Sequence, residues 1–174
     1  MNTLVINLYG GPGSGKSTMA ASIFAELKWR DINCELATEY AKDLVWEKRH
    51  KTFENQIYMF GKQHHRIFRL LGQVAVVVTD SPLLLTPVYD GEKRELLANL
   101  AVAEFNKCNN LNFFINRKKK YNPIGRNQNL AGAKEKDAEV KEVLAKYNIS
   151  YYSVDGTPND IRYIIEKIVE HLKG

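Results

Sequence analysis

Apolar residues in this chain fall into short unbroken runs, separated by longer stretches in which they recur every three or four positions. Residues 3–9, "TLVINLY", form a β-rich run read as a buried strand. Residues 74–80, "VAVVVTD", give the clearest strand, apolar throughout as a central parallel strand covered on both faces should be. Weaker runs at 34–38 ("CELAT"), 111–116 ("LNFFIN") and 150–154 ("SYYSV") predict three more. Between them the period changes. Residues 17 to about 30 carry Met19, Ile23, Phe24 and Leu27 at helical spacing. Residues 39–71 read as helix in two or three pieces, with Thr52 and the "FEN" after it as an N-cap region. Pro82 and Pro87 mark a loop, and 92–107 reads as a helix with Leu96, Leu97, Leu100 and Phe105 inward. Helices near 131–147 and over 158–172 follow, the last with Pro158 near its first turn. Strand and helix alternate five times without a repeat or linker. That pattern predicts an α/β fold in three layers, a single domain over 1–174 with a five-stranded, mainly parallel sheet.

Composition narrows the setting. Charged residues make up 26% and hydrophobic residues 44%, as in an ordinary soluble domain. No apolar run approaches the roughly 18 residues of a membrane span, and the N-terminal run leads into glycines rather than a cleavage site. No membrane association is expected. Cys34 and Cys108 make neither a metal spacing nor a disulfide framework and read as reduced thiols. The expected location is cytoplasmic. A net charge of +5 tilts partners toward anions, with phosphorylated small molecules, nucleotides and nucleic acid all open.

One segment decides the chemistry. Gly10-Gly11-Pro12-Gly13-Ser14-Gly15-Lys16-Ser17 matches G-x-x-x-x-G-K-[ST] between a predicted strand and a predicted helix, the context this motif requires. Glycines let successive N–H groups turn toward phosphate oxygens, and the helix adds the positive end of its dipole. Gly11, Gly13, Ser14, Gly15, Lys16, Ser17 and Thr18 are therefore expected to bind a nucleoside triphosphate. Lys16 is expected on the outer phosphates, Ser17 in a Mg²⁺ shell and Thr18 near the α-phosphate.

Two acids are expected at the same sheet edge. Asp80 ends the 74–80 strand and is placed to hold Mg²⁺; its alternative is an aspartate that opens an ordinary turn. Glu39 follows the 34–38 strand and is placed to take a proton from an acceptor hydroxyl; its alternative is a solvated acid at a helix start. A basic segment, "RKKKYNPIGRNQN", forms a candidate lid over about 117–130. Arg117 and Arg126 are its better candidates for charge neutralisation, since planar guanidinium groups suit phosphoryl oxygens, while Lys118, Lys119 and Lys120 read equally well as a solvated face. Tyr58, Phe60 and Phe68 near Gln56 and Gln63 line either a base pocket or core. His64 and His65 have no third ligand nearby and suit surface or packing roles.

The segments "GGPGSGKST", "ATEYAKDLVW", "TFENQIYMFGKQHHRI", "VVVTDSPLLL" and "NPIGRNQ" occur in an order that resembles P-loop kinases of the nicotinamide-riboside-kinase-like group, over residues 3–155. Within that group, "KKYNPIGRNQ" looks most like bacteriophage members, including 5-hydroxymethyluracil DNA kinases and phage nucleotide kinases. The resemblance implies a P-loop kinase fold with a short basic lid and an ATP·Mg²⁺ donor. Carried over by position, Lys16 and Ser17 serve phosphate and metal, Asp80 the metal or acceptor hydroxyl, Arg126 the lid, and Glu39 faces the acceptor. Two departures stand out: Lys42 replaces a frequent arginine, and "TDSP" replaces a more usual acid–arginine pair. The expected activity is ATP-dependent phosphoryl transfer to an alcohol, with the hydroxymethyl group of 5-hydroxymethyluracil in DNA as acceptor. A free nucleoside or nucleotide, nicotinamide riboside included, is the alternative acceptor. An acceptor-independent ATPase module is the alternative of another class.

Overall fold

A computed structural model describes residues 2–118 and 130–173. Five strands, β1 (Leu4–Tyr9), β2 (Cys34–Ala37), β3 (Val76–Thr79), β4 (Asn109–Ile115) and β5 (Tyr152–Val154), form one sheet in the order β2-β3-β1-β4-β5. Every pairing is parallel, so the expectation of a mainly parallel sheet holds in its strongest form. The register sets Asn7 beside Thr79 on one side and Asn112 on the other.

Among the described residues eight helices cover the sheet. They are α1 (Lys16–Trp29), α2 (Tyr40–Trp46), α3 (His50–Glu54), α4 (Gln56–Phe68), α5 (Thr86–Tyr89), α6 (Glu95–Asn106), α7 (Leu130–Lys146) and α8 (Pro158–Lys173). The two-residue alternation of β1 sorts the layers. Leu4, Ile6 and Leu8 face a core shared with Met19, Ile23 and Leu27 of α1 and Ile164, Ile165 and Ile168 of α8. Val5 faces the opposite way, toward Phe60 and Ile67 of α4 and Leu97 and Ala101 of α6. Tyr9 meets Phe105, Val140 and Leu144 of α6 and α7. Asn7 interrupts this apolar strand, and its buried amide donates to the side-chain oxygens of Asn110 (2.9 Å) and Asn112 (3.1 Å) on β4. Pairing amide with amide removes most of the cost of burying them.

Some local expectations shift. The N-cap of α4 is Asn55, whose side chain accepts from the Tyr58 N–H, whereas Thr52 lies inside α3. A 3-10 turn, Leu83–Leu85, and α5 occupy the stretch read as a loop around Pro82 and Pro87; Pro87 sits in the first turn of α5, where its missing N–H costs nothing. In α6, Leu97, Ala101 and Phe105 turn inward, but Leu96 is 85% and Leu100 46% exposed. Adjacent leucines gave two helical stripes to choose from, and the stripe containing the small Ala101 packs against the sheet.

Because all strands run one way, their carboxyl ends share one edge. The chain leaves β1 toward the α1–α8 layer and leaves β3 and β4 toward the opposite layer. This creates a crevice beside β1, the place where open α/β sheets receive ligands.

Candidate active site

Residues 10–15 span the gap from β1 to α1. Gly15 caps α1 at φ 109°, a left-handed conformation that side chains disfavour, so the glycine opens the helix N-terminus without strain. Lys16 turns back over the loop and donates to the carbonyls of Gly10 (2.7 Å) and Gly11 (3.0 Å). Burial pushes its ammonium pKa down, opposed by the charges of Glu39, Asp80 and Asp137 in that order. Ser14 is buried, and its Oγ has no hydrogen-bond partner among the described residues. Ser17 and Thr18 are exposed on the first turn of α1.

The two predicted acids meet. Asp80, buried at 4% exposure, accepts the main-chain N–H of Glu39 on Oδ1 at 2.9 Å. This bond ties the end of β3 to the start of α2. Thr79 reinforces it by donating from Oγ1 to the Ala37 carbonyl at 2.8 Å.

A third contact was not foreseen. Asp137, on α7, accepts the N–H of Gly11 at 2.6 Å on Oδ1 and the Arg117 Nε at 2.8 Å on Oδ2. Arg117 also donates to the carbonyls of Pro12 (2.8 Å) and Ala133 (3.2 Å). The guanidinium just past β4 is thus fixed against the phosphate loop. Gly11 is a glycine for this reason: a Cβ there would lie 2.5 Å from the Ala133 carbonyl oxygen and 2.8 Å from Asp137 Oδ1.

A cavity of about 350 Å³ opens from the loop. One wall is Pro12, Gly13, Gly15, Lys16, Ser17 and Thr18, and Glu39 adjoins it. The far walls are aromatic and amide-bearing: Tyr40, Trp46, Phe53, Gln56, Met59, Phe60, Gln63 and Tyr89. Burial pushes the Tyr89 phenol well up, with Glu39 the next cause. Gln63, 7% exposed, accepts the Tyr40 N–H on Oε1 at 3.0 Å, while its Nε2 has no partner among the described residues. An unpartnered buried donor costs about 1–3 kcal/mol.

A family model described as an AAA domain matches residues 5–160, from β1 into α8. The chain belongs to the AAA-domain family. No curated protein matches it closely enough to add a relative. This AAA domain is a nucleotide-binding P-loop domain, of a kind that generally binds ATP with Mg²⁺.

The residues present fit that ligand. The Ser14 hydroxyl, unpartnered among the described residues, the Lys16 ammonium and the α1 N-terminus suit an anionic ligand. The Ser17 hydroxyl and Asp80 carboxylate are hard oxygen donors suited to Mg²⁺. Among the described residues no group of three or more His, Cys, Asp and Glu could hold a metal by itself. Mg²⁺ is usually held by one or two carboxylates together with substrate phosphates, so that pattern agrees.

Of the residues singled out from sequence, Lys16, Ser17, Glu39, Asp80 and Arg117 come together around the loop. Arg126 and residues 119–125 of the candidate lid lie outside the described residues. Lys118 is exposed, with Asp155 3.8 Å away. Phe60, Gln56 and Gln63 line the cavity, whereas Phe68 is exposed and stacks on His64. His64 pairs with Glu104 at 3.2 Å, a packing role. Tyr89 and Asp137 escaped sequence reading. Asp137 sits in "KEKDAEVKE", where no period or motif separates it from neighbouring surface acids.

Proposed function

We propose that this AAA domain is an ATP-dependent kinase that transfers the γ-phosphate of ATP to an alcohol hydroxyl. We propose further that the acceptor is the 5-hydroxymethyl group of 5-hydroxymethyluracil in DNA. The cavity carries the kinase reading, because it starts at Lys16 and Ser17, passes Glu39 and ends in an apolar, amide-bearing recess. A module that only hydrolyses ATP has no use for a recess beyond the γ-phosphate.

Chain residues divide the work. Lys16 holds the outer phosphates, and the α1 N-terminus holds the others. Bound Mg²⁺ would neutralise triphosphate charge, with Ser17 and Asp80 as its protein partners. Glu39 lines the cavity, while Asp80 is buried with Oδ1 engaged by the Glu39 N–H; this favours Glu39 as proton acceptor. The acceptor oxygen forms its bond to the γ-phosphorus as the bond to the ADP oxygen breaks, and the hydroxyl proton passes to Glu39. Arg117, paired with Asp137, braces the phosphate loop through the Pro12 carbonyl.

The DNA acceptor rests on the resemblance to phage enzymes and on the basic balance. Lys42, Lys48, Arg49 and Lys51 are exposed on and beside α2 and α3, next to the cavity, where they suit backbone phosphates. A target base would have to leave the stack or be single-stranded. The whole cavity, phosphate-loop wall included, is about 350 Å³, a small-molecule size that favours a free nucleoside or nucleotide as the second reading.

Labelled γ-phosphate offered with hydroxymethyluracil-containing DNA, free nucleosides, nucleotides or no acceptor separates these readings. Label on the DNA is expected, with a fall of about 10²–10⁴-fold in Glu39→Gln. Label confined to free nucleosides or nucleotides would overturn the DNA acceptor. Phosphate release indifferent to any acceptor would overturn the kinase.

A further inference from the structure

The outer side of α4 borders a second concavity, of about 440 Å³, against the edge strand β2. Leu36, Ala37 and Thr38 line it from the strand, and Lys62, His65, Arg66 and Arg69 line it from α4 and its C-cap. Steps of three and four residues put the four basic side chains on one stripe. Like charges at that spacing repel, a cost that a bound anion would relieve. No acid lines the groove among the described residues. Asp43, close by, accepts from Arg66, which also donates to the Thr38 carbonyl at 3.0 Å. Glu35, beside Leu36, pairs with Lys28 at 3.3 Å. Lys62, His65 and Arg69 are exposed and make no ion pair among the described residues. Aromatic rings lie between these cations and the cavity. The Arg66 guanidinium lies over the Tyr40 ring at 5.2 Å and the Lys62 ammonium over the Tyr58 ring at 5.4 Å. The two rings meet edge to face, and Tyr58 is 38% exposed. Tyr40 lines both the groove and the cavity. Glu39, between Thr38 and Tyr40 in the chain, lines the cavity, so the two spaces adjoin at the proposed proton acceptor.

We propose that this groove binds the phosphodiester backbone of a single-stranded nucleic acid and leads one of its nucleotides past Tyr40 toward the cavity. The inference rests on the DNA-acceptor reading only in naming that nucleotide as the one phosphorylated. A row of unpaired cations suits successive phosphates, and a half-exposed ring beside it offers a face for an unpaired base. An acidic peptide would meet the same charge. It would find no use for the rings, however, and β2 offers it an edge of only four residues.

The test measures binding of labelled oligothymidylate to the full chain by fluorescence anisotropy across a salt series, without ATP. The double variant Lys62→Ala with Arg69→Ala is compared with Arg162→Ala with Lys173→Ala, which removes the same charge from exposed positions on α8. The groove variant is expected to bind about tenfold more weakly. Its plot of log affinity against log salt should be shallower by about 1.4, two cations at about 0.7 each for a single strand. Tyr58→Leu should weaken binding about fivefold or more through lost stacking. ATP affinity should stay unchanged in all variants, and the α8 variant should bind the strand nearly as the wild type does. In phosphoryl transfer to hydroxymethyluracil-containing single strands, the groove variant should raise KM and keep kcat. Equal losses in the two double variants, or no strand binding by the wild type, would overturn the proposal. Displacement of the strand by polyglutamate at equal charge would overturn it in favour of an acidic peptide. Binding with the expected pattern but no transfer of phosphate would overturn the kinase reading and leave this one standing. Transfer to the strand with KM unchanged in the groove variant would do the reverse.

Discussion

Lys16 has opposite demands on its charge. In its proposed role it must be an ammonium to hold phosphates, yet burial penalises the ammonium and lowers its pKa from the ordinary lysine value. The unfolded chain therefore binds more protons at Lys16 than the folded chain across the window between the folded and ordinary values. In that window Lys16 contributes stability that rises with pH, while affinity for ATP falls as the ammonium is lost. We expect kcat/KM for ATP to decline on the alkaline side below the ordinary lysine range, since that ratio reports the free enzyme. Thermal melts of the wild type against Lys16→Met over the same pH range check the other half. The stability gap between the two proteins should move in favour of the wild type as pH rises.

At the level of elements, the contact between the phosphate loop and α7 makes the sharpest claim. Gly11→Ala forces a methyl group onto the Ala133 carbonyl, and α7 must shift to relieve it. A loss of about 1–3 kcal/mol in urea melts is expected. Asp137→Ala leaves the largely buried Arg117 without its carboxylate, and should destabilise by about 2 kcal/mol or more. The two losses should not add, because both break the same junction. Neither effect was legible in the sequence, where Gly11 reads as one more loop glycine and Asp137 as one more surface acid. The strands were legible because Val76, Val77 and Val78 on β3 and the alternating faces of β1 announce two-sided burial. The inward face of α6 was not, since Leu96 and Leu97 support two helical stripes equally well. The short helix α5 hid behind Pro87, a residue that suits a loop and a first helical turn alike.

For the whole molecule, the all-parallel sheet gathers Lys16, Glu39, Asp80 and Arg117 at one edge from the ends of four different strands. The sequence order of strand and acid made that gathering predictable. The recess opposite was only partly so, since Phe60 was foreseen there but Tyr89 was not. A ligand bridging these elements binds the folded chain alone and must stabilise it as a whole. At about a hundredfold excess over its Kd, ATP with Mg²⁺ should add about 2.7 kcal/mol. The rise in Tm should shrink when the cation is chelated, and should largely vanish in Lys16→Met. An equal rise in that variant would place the nucleotide elsewhere.

The Gly11–Asp137 bond has a consequence for descent. The two residues stand 126 positions apart, and each constrains the other at contact distance. A lineage that enlarges residue 11 must displace the helix that bears Asp137, since the Ala133 carbonyl stands in the way whatever side chain occupies 137. Loss of the acid would in turn release the glycine from half of its constraint. Positions 11 and 137 should therefore be inherited as one character, with the beginning of the phosphate loop evolving at the pace of a helix near the far end of the chain.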